Sequence, residues 1–426
     1  MRFLLDCVYL VACIVLSPWL AYRLCTAGRR DFARRFGFDL GSGFSSSVWL
    51  HGSSAGEVAV LKPLVAAFEK DHPGTPLVIS AFTAMGLTTA RKLYPAHHVV
   101  PLPVDFSFVV ARFLRRFNPR LLVVAESELW PNLLRVAARR GVPAALVNGK
   151  MSAKSFRMHR RTRLVPRVLG EFAVLAVQTQ EHAERFRALG VAGSSLHVTG
   201  NMKYDLAPPS ESAGYGASLR ASLGYAATDV VVIGGSLHSG EDEALLDAFA
   251  AARATAADAA LVIVPRYPAD ADAVLQRARA RGFAVACKTA VDANTVPAPG
   301  RNGVLIVDTV GELGRLYAIA DLAFVGGSLF FRGANKGGHN LMEPAIFGVP
   351  IVFGPYNFSF KETVDDLLAA DAGRLVRDAV ELKAVVVELV ADRDARRALG
   401  LRAQRVVDAG RGATRRNYAL LSQLLR

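Results

Sequence analysis

The stretch VWLHGSSAGEVAVLKPLV, residues 48–65, decides how the fold of this chain is interpreted. An apolar run ends at His51, a loop of small residues follows, and Glu57 opens a segment with helical periodicity. Ser54-Ala-Gly-Glu57 matches the S-x-x-E capping box, in which the two side chains satisfy each other's backbone amides. The alternative interpretation is functional: the small residues leave room for a substrate and Glu57 is a base. Taken alone, these residues favour the cap.

Length and cysteine content indicate a multidomain protein of a reducing compartment. A chain of 426 residues with 52% hydrophobic residues is long enough for two or three domains with sizeable cores. Its four cysteines include no C-x-x-C pair, and three of them lie within the first 25 residues. This pattern indicates neither a disulfide framework nor a zinc site.

The net charge of +14 is unevenly distributed. Residues 1–205 carry 27 basic and 13 acidic side chains, whereas residues 206–426 carry 24 of each. The entire excess therefore belongs to the N-terminal half. Such a basic surface suits nucleic acid or anionic lipid head groups, and a merely solvated basic face is the third interpretation.

The N-terminus favours lipid among these partners. Residues 7–24 carry no charge before Arg23 and are near the lower length limit for spanning a bilayer. Asp6 and Pro18 leave an interfacial helix open as an alternative. The arginines that follow the apolar run predict that the rest of the chain is cytoplasmic. We therefore expect a membrane-anchored cytoplasmic protein with the anchor at residues 1–24.

Beyond the anchor, apolar strands alternate with amphipathic helices, the pattern of an α/β protein with parallel sheets. The strands predicted in the first half are 47–50, 77–81, 98–101, 121–125, 144–147 and 173–177. Those predicted in the second half are 230–234, 261–264, 283–286, 304–307, 322–325 and 350–353.

The predicted domains are two doubly wound, Rossmann-like units. They comprise residues 25–205 and 220–426, joined by a Pro/Ser/Gly-rich linker at 206–219, and the last helix could pack back on the first domain. The segment GGSLHSGEDEALLDAF, 234–249, repeats the strand, small loop, Ser-Gly-Glu and helix of the opening stretch. Ligands bind at the carboxyl ends of such strands, so this organisation favours catalysis by Glu57.

Several further segments end strands with polar side chains. Glu126 follows a strand directly, and Lys203 precedes the linker, where it faces the cleft or only solvates a loop. Pro265-Arg266 ends another strand at an edge where anions bind, and Gly311-Glu312 opens a helix.

Residues 325–355 combine two glycine-rich loops with a predicted helix that begins near His339-Asn340 and contains Glu343. Backbone amides at a helix start bind phosphate, and an interior carboxylate can hold sugar hydroxyls. The sequence contains no G-x-x-x-x-G-K-[ST] phosphate loop and no H-E-x-x-H zinc helix. We therefore expect neither a metal nor a cofactor.

The motifs HGSSAGE, AESELWPN, TGNMKYD, PRYP, VGELGRLYAIADLAFVGGS and GGHNLMEPA occur in this order up to about residue 360. Together they resemble the 3-deoxy-D-manno-octulosonic acid (Kdo) transferases of lipopolysaccharide synthesis. The resemblance implies the GT-B glycosyltransferase fold. It also implies transfer of Kdo from CMP-Kdo to a lipid A precursor, with inversion and without a metal. The implied partners are CMP-Kdo, the lipid A precursor and inner-membrane lipids, not nucleic acid.

The resemblance also implies roles for individual residues. Glu57 matches the general base of that family, and Glu126 and Lys203 match residues that support the transition state. The CMP-binding positions correspond to Pro265, Arg266, Val310, Gly311, Glu312, Asn340, Leu341, Met342 and Glu343. The glycine-rich loop at 332–338 is a few residues longer than the family pattern.

Two other functions share these features. Another nucleotide-sugar transferase, or a nucleotide-sugar 2-epimerase, would have the same fold but would prefer UDP to CMP. A non-catalytic, membrane-docked binding protein would keep the cleft and tolerate Glu57→Gln.

Overall fold

The computed structural model describes residues 6–7, 9–10, 29–161, 164–206, 214–254, 256, 258–333 and 337–425. The chain forms two compact units, here called the first unit (Met1–Leu206 with Gly410–Arg426) and the second unit (Ala207–Ala409). Each unit is built around its own seven-stranded sheet. The expected pair of doubly wound α/β domains is thereby confirmed.

The sheet of the first unit is entirely parallel and has the order β3-β2-β1-β4-β5-β6-β7. Its strands are β1 Ser47–His51, β2 Leu77–Ala81, β3 His98–Pro101, β4 Pro119–Ala125, β5 Ala144–Gly149, β6 Val174–Val177 and β7 Leu196–Val198. Its helices are Arg29–Arg35, Ala55–Val60, Lys62–Asp71, Ala84–Leu93, Ser107–Phe117, Pro131–Arg139, Ala153–Arg160, Leu164–Leu169, Gln180–Ala188 and Ala413–Leu424.

The sheet of the second unit is also parallel, in the order β10-β11-β9-β8-β12-β13-β14. Its strands are β8 Val230–Leu237, β9 Ala259–Pro265, β10 Val285–Cys287, β11 Val304–Ile306, β12 Leu322–Val325, β13 Ile351–Phe353 and β14 Arg374–Leu375. Its helices are Tyr215–Ser222, Glu241–Arg253, Ala271–Ala280, Lys288–Asp292, Leu313–Leu316, Met342–Ile346, Lys361–Ala369, Ala379–Ala391 and Arg393–Gly410.

Both faces of each sheet are covered by apolar side chains, as expected of parallel sheets. Successive residues of β1 point to opposite faces, so Trp49 joins one core of the first unit and Leu50 joins the other. In the second unit Val232 and Ile233 are divided in the same way. This double burial explains why the strands read as continuous apolar runs in the sequence.

Four details differ from the sequence-based expectations. The short strands β7 and β14 were not predicted, and the helix expected to begin near residues 339–340 begins at Met342. Residues 215–219, assigned to the linker, form the first turns of the helix Tyr215–Ser222. Residues 410–426, assigned to the second domain with the provision that the last helix could pack back on the first, do belong to the first unit, where Asp205 accepts hydrogen bonds from the amides of Gly412 and Thr414.

The predicted anchor at residues 1–24 lies outside the described residues, except for positions 6, 7, 9 and 10. Asp6 accepts hydrogen bonds from the Ser107 amide (3.0 Å) and from the Asn132 side chain (3.0 Å). Among the helices that the structure describes, none combines the length and the apolar character needed to span a membrane.

Candidate active site

Each sheet has one point at which its strand order reverses. This point lies between β1 and β4 in the first unit and between β8 and β12 in the second. Ligands of open parallel sheets bind outside the carboxyl ends of the strands at such a point. Glu57 follows β1 and Glu126 follows β4, so both lie at the switch point of the first sheet.

Glu57 is fixed at the start of its helix by a variant of the capping box. Ser54 Oγ accepts a hydrogen bond from the Glu57 amide (3.3 Å) and donates one to Glu57 Oε1 (2.9 Å). The other carboxylate oxygen, Oε2, accepts one from the Ser53 amide at 2.9 Å. The predicted cap is present. Because a carboxylate can accept about four hydrogen bonds, these two leave it capacity for a substrate hydroxyl.

The surroundings of Glu57 favour its protonated form. Burial raises the pKa of the Glu57 carboxyl above its ordinary value, the charge of Glu126 raises it further, and the bonds from Ser53 and Ser54 oppose both. Burial also raises the pKa of nearby Glu128. A base works best when its pKa lies near the working pH, so these shifts suit proton transfer by Glu57.

A buried chain of hydrogen bonds supports the loop behind Glu57. Trp49 Nε1 donates to Ser80 Oγ at 2.8 Å, Ser80 Oγ lies 2.9 Å from His51 Nδ1, and His51 Nε2 lies 3.3 Å from Ser53 Oγ. Burial lowers the pKa of His51 to about 3, so the ring is neutral at physiological pH. A neutral imidazole can hold Ser53 in place without placing a positive charge beside Glu57.

Glu126 is a buried carboxylate between two partly exposed lysines. Its side chain is 7% exposed, and its carboxylate lies 2.6 Å from Lys150 Nζ and 3.9 Å from Lys203 Nζ. Its φ of +61° is in the left-handed region, which is rare for a non-glycine residue and is found preferentially at functional sites. The predicted residues Glu126 and Lys203 are therefore neighbours. Lys150 is a third member that the sequence did not reveal.

Asn148, next to the end of β5, holds this cluster together. Its Oδ1 accepts a hydrogen bond from the Met202 amide at 2.8 Å, which fixes the turn that carries Lys203. The Lys203 amide in turn donates to Asn201 Oδ1 at 3.0 Å. Since Asn148 has a φ of +52°, the backbone of β5 changes direction just before Lys150.

In the second unit, Pro265 and Arg266 lie at the carboxyl end of β9. Pro265 is buried, whereas Arg266 is exposed and its amide donates to the Leu237 carbonyl at 2.7 Å. The guanidinium carbon lies 5.3 Å from the centre of the Tyr267 ring. Arg266 is therefore available to an anion at this edge of the sheet.

Val310, Gly311 and Glu312 follow β11 at the same edge. Val310 is 73% exposed, and Gly311 has a φ of +92°, which only glycine adopts readily. Burial acts to raise the pKa of Glu312, but hydrogen bonds from Thr309 and Lys288 outweigh it and hold that pKa below its ordinary value. The Lys288 Nζ lies 3.0 Å from Glu312 Oε2, a partner that the sequence did not indicate.

The segment Asn340–Glu343 prepares the start of the helix Met342–Ile346. Asn340 Oδ1 accepts a hydrogen bond from the Met342 amide (3.1 Å), and Asn340 Nδ2 donates one to Glu343 Oε1 (3.2 Å). Leu341 and Met342 are buried beneath this pair. Burial raises the pKa of Glu343, and the bond from Asn340 opposes that change.

The described part of the long glycine-rich loop turns sharply on itself. Gly337 and Gly338 have φ values of +132° and +79°, and the Gly338 amide donates to the Gly327 carbonyl at 2.7 Å. Positions 334–336 of the predicted loop at 332–338 lie outside the described residues. Within the described chain, no group of three or more His, Cys, Asp or Glu side chains is placed to hold a metal ion.

Comparison with known proteins gives a consistent family. Residues 30–206 match the family described as 3-deoxy-D-manno-octulosonic-acid transferase (kdotransferase). The chain is 34% identical to the 3-deoxy-D-manno-octulosonic acid transferase of Bordetella pertussis over 394 residues, which cover 89% of this chain and 88% of that one. It is 30% identical to the Haemophilus influenzae transferase of the same name over 404 residues, 93% and 92% of the two chains.

Among solved structures, the UDP-GlcNAc 2-epimerase of Neisseria meningitidis bound to UDP-GlcNAc is similar, with a TM-score of 0.56. The match covers 89% of this chain and 99% of that one at 11% identity, so it shows the shared fold alone. The matches to the two transferases cover 93% and 89% of this chain. The chain therefore belongs to the 3-deoxy-D-manno-octulosonic acid transferase family and is a glycosyltransferase.

Proposed function

We propose that this enzyme transfers Kdo from CMP-Kdo to a lipid A precursor, lipid IVA, during assembly of the lipopolysaccharide core. The observation that carries the proposal is Glu57. Its carboxylate lies at the switch point of the first sheet, at the start of a helix that follows a loop of small residues, with a raised pKa and unused acceptor capacity. Membership of the family indicates that the transferred sugar is Kdo, and the geometry around Glu57 suits activation of an acceptor hydroxyl.

In this mechanism Glu57 is the general base. It takes the proton of the acceptor hydroxyl while that oxygen attacks the anomeric carbon of Kdo, and attack opposite the leaving nucleotide inverts the configuration. Proton transfer by a positioned carboxylate typically contributes a factor of about 10²–10⁴ to the rate. The amide of Ser53 and the hydroxyl of Ser54 orient the carboxylate for this step.

Glu126, Lys150 and Lys203 would supply the electrostatic environment of the sugar. The two ammonium groups compensate the Glu126 carboxylate, from which they lie 2.6 Å and 3.9 Å away. Kdo is a sugar acid, so a cationic group beside it can bind its carboxylate through charge-assisted hydrogen bonds. The negative charge of the Glu126 carboxylate then stabilises the positive charge that develops at the anomeric carbon in the transition state.

The second unit would bind the CMP part of the donor. Arg266 offers a guanidinium to the phosphate, and Asn340–Glu343 offers a helix start with an ordered amide and carboxylate. Pro265 and Val310–Glu312 form the rest of this proposed binding site, at the carboxyl ends of β9 and β11. The leaving group carries a single phosphate, whose charge these groups can stabilise without a metal ion.

We also propose attachment to the inner membrane, with residues 1–24 as the anchor and both units on the cytoplasmic side. The apolar run at 7–24, the arginines that follow it and the net charge of +14 of residues 1–205 support this location. Membrane fractionation of the full chain against a form lacking residues 1–24 tests it. Equal recovery of both forms in the soluble fraction would contradict the anchor.

The decisive assay for the proposed function is incubation of the full chain with CMP-Kdo and tetraacyl lipid A precursor, followed by mass spectrometry. A product heavier by one or more Kdo residues is expected, and its mass also gives the number transferred. Activity should persist in excess EDTA, and CMP should inhibit more strongly than UDP. Preference for UDP and a UDP-sugar would instead identify a different transferase or a 2-epimerase.

A further inference from the structure

We propose that His238 and His339 form one proton-sharing pair that binds the phosphate of the nucleotide donor and protonates the oxygen on which the nucleotide leaves. This inference deepens the proposed function and rests on it. Neither histidine is among the donor-binding positions that the family resemblance implies.

The pair lies at the switch point of the second sheet. His238 follows β8 directly, and His339 belongs to the loop that follows β12, the strand adjacent to β8. Both side chains are half-buried, so they contact the protein on one side and remain accessible on the other. This is the position in a doubly wound sheet at which a nucleotide is expected to bind.

The two rings are arranged to share a proton. Their Nε2 atoms lie 3.2 Å apart, and the rings are nearly parallel, with centres 5.4 Å apart and planes at 11°. A hydrogen bond between two imidazole nitrogens requires one to donate and the other to accept. An added proton can therefore be held by the pair while the bond between the rings persists.

The buried carboxylate of Glu241 fixes the backbone that positions both histidines. Glu241 Oε2 accepts hydrogen bonds from the His238 amide (2.9 Å) and from the Gly327 amide (2.7 Å). The His339 ring packs directly on Gly327, where a Cβ atom would come within 2.9 Å of its Nε2. One carboxylate oxygen thus fixes the backbone under each ring, and glycine at 327 leaves the space that the pair needs.

The charges around the pair favour an anion. Arg266 and Arg332 act on both histidines, whereas the acidic groups Glu241 and Asp270 act on His238. Burial, then the neighbouring His238 and the two arginines, lower the pKa of His339 to about 4, and burial lowers the pKa of His238 as well. The empty pair is neutral at pH 7, and a bound phosphate would offset the arginines and favour proton uptake.

The chemical step then balances. The acceptor oxygen forms a bond to the anomeric carbon while the bond between that carbon and the phosphate oxygen breaks, and the electron pair of the broken bond stays on the phosphate oxygen. The oxygen takes the proton held by the histidine pair, so CMP leaves as a monoanion. Glu57 receives the proton of the acceptor hydroxyl, and solvent returns the two groups to their starting states. No oxidant, reductant or further reactant is needed.

The experiment compares CMP and cytidine binding by calorimetry for the full chain, His238→Gln and His339→Gln, in buffers of different ionisation enthalpy at pH 7.5. We expect CMP binding by the parent to take up protons. Either variant should bind CMP about tenfold more weakly or worse, because a charge-assisted hydrogen bond is lost, and should take up fewer protons. Cytidine binding should be unchanged, which shows that the nucleoside site is intact. His197→Gln, on β7 of the first unit, is the matched control.

The transfer assay separates this inference from the proposed function. With CMP-Kdo, kcat of either variant should fall about 100-fold, the loss typical of a missing general acid. Normal transfer, CMP affinity and proton uptake in both variants would overturn the histidine pair and leave the function intact. A parent that neither transfers Kdo nor binds CMP would overturn both.

Discussion

Glu57 and Glu241 occupy equivalent places in the two units and show how one sequence pattern can serve two purposes. Each follows the first strand of its sheet and a small loop, and each lies at the start of a helix. Glu241 is completely buried, and its carboxylate accepts hydrogen bonds from the amides of His238, Gly327, Ser328 and Leu329. Glu57 is partly exposed and accepts one bond from an amide and one from a hydroxyl.

The difference lies in how much of each carboxylate the protein itself uses. Four amide donors saturate Glu241, so it organises two loops and has no capacity for a substrate. Glu57 retains acceptor capacity, and burial together with the Glu126 charge raises its pKa. A carboxylate in the first turn of a helix is therefore a structural element when the backbone satisfies it, and a candidate base when it does not.

The largest effect on stability is expected for Glu241→Gln. The amide nitrogen of glutamine cannot accept, so buried backbone donors are left without partners at a cost of about 3–5 kcal/mol in the free energy of unfolding. Glu57→Gln, the matched variant at the equivalent place, should change it by less than about 1 kcal/mol. Urea unfolding of both variants measures the contrast, and equal losses would show that the two carboxylates play the same structural part.

Lys150→Ala should lower kcat/KM by about 10–100-fold, because it removes a charge-assisted bond from the buried Glu126 carboxylate. Lys154→Ala, an exposed lysine of the same unit, is the control and should retain parental activity. Steady-state kinetics with CMP-Kdo distinguish the two. Parental kcat/KM for Lys150→Ala would remove this lysine from the site.

Ser54→Ala isolates the capping role of the loop before Glu57. Loss of the N-cap hydroxyl should cost about 1 kcal/mol of stability. The Glu57 carboxylate remains, so transfer should still be measurable. Thermal unfolding and the transfer assay on one sample test both expectations. A variant of unchanged stability that no longer transfers Kdo would assign Ser54 to the reaction rather than to the cap.

The smallest effect is a displacement of the pH profile. The raised pKa of Glu57 predicts that kcat/KM falls, as the pH is lowered, at a higher pH than an ordinary glutamate would give. Glu126→Gln removes a negative neighbour, lowers the pKa of Glu57 and should move this acid limb to lower pH in the residual activity. An acid limb that stays in place would mean that another group controls it.

The sequence predicted the strands that sheets bury on both faces, because continuous apolar runs such as β4 and β9 have few alternative interpretations. It missed β7 and β14, which have three and two residues and gain their strand geometry from the neighbouring strands β6 and β13. The start of the helix at Met342 was misplaced by two to three residues, because the Asn340 side chain caps the amide of Met342 instead of joining the helix.

The candidate site also contains some residues that the sequence indicated and others that it did not. Residues within motifs, such as Glu57 and Glu126, could be proposed as candidates from the sequence. Lys150 could not, because its contact with Glu126 depends on the pairing of β4 with β5. The bonds from the amides of Gly327, Ser328 and Leu329 to Glu241 and the contact between His238 and His339 join segments 86 to 101 residues apart and follow only from sheet order.

The central claim is that Glu57 is the base, and the most direct test compares the parent with Glu57→Gln in single-turnover transfer of Kdo from CMP-Kdo, with CMP binding measured on the same samples. The variant should bind CMP like the parent and transfer about 10²–10⁴-fold more slowly, since only proton removal is lost. Transfer at the parental rate would contradict the claim and leave Glu57 as a helix cap.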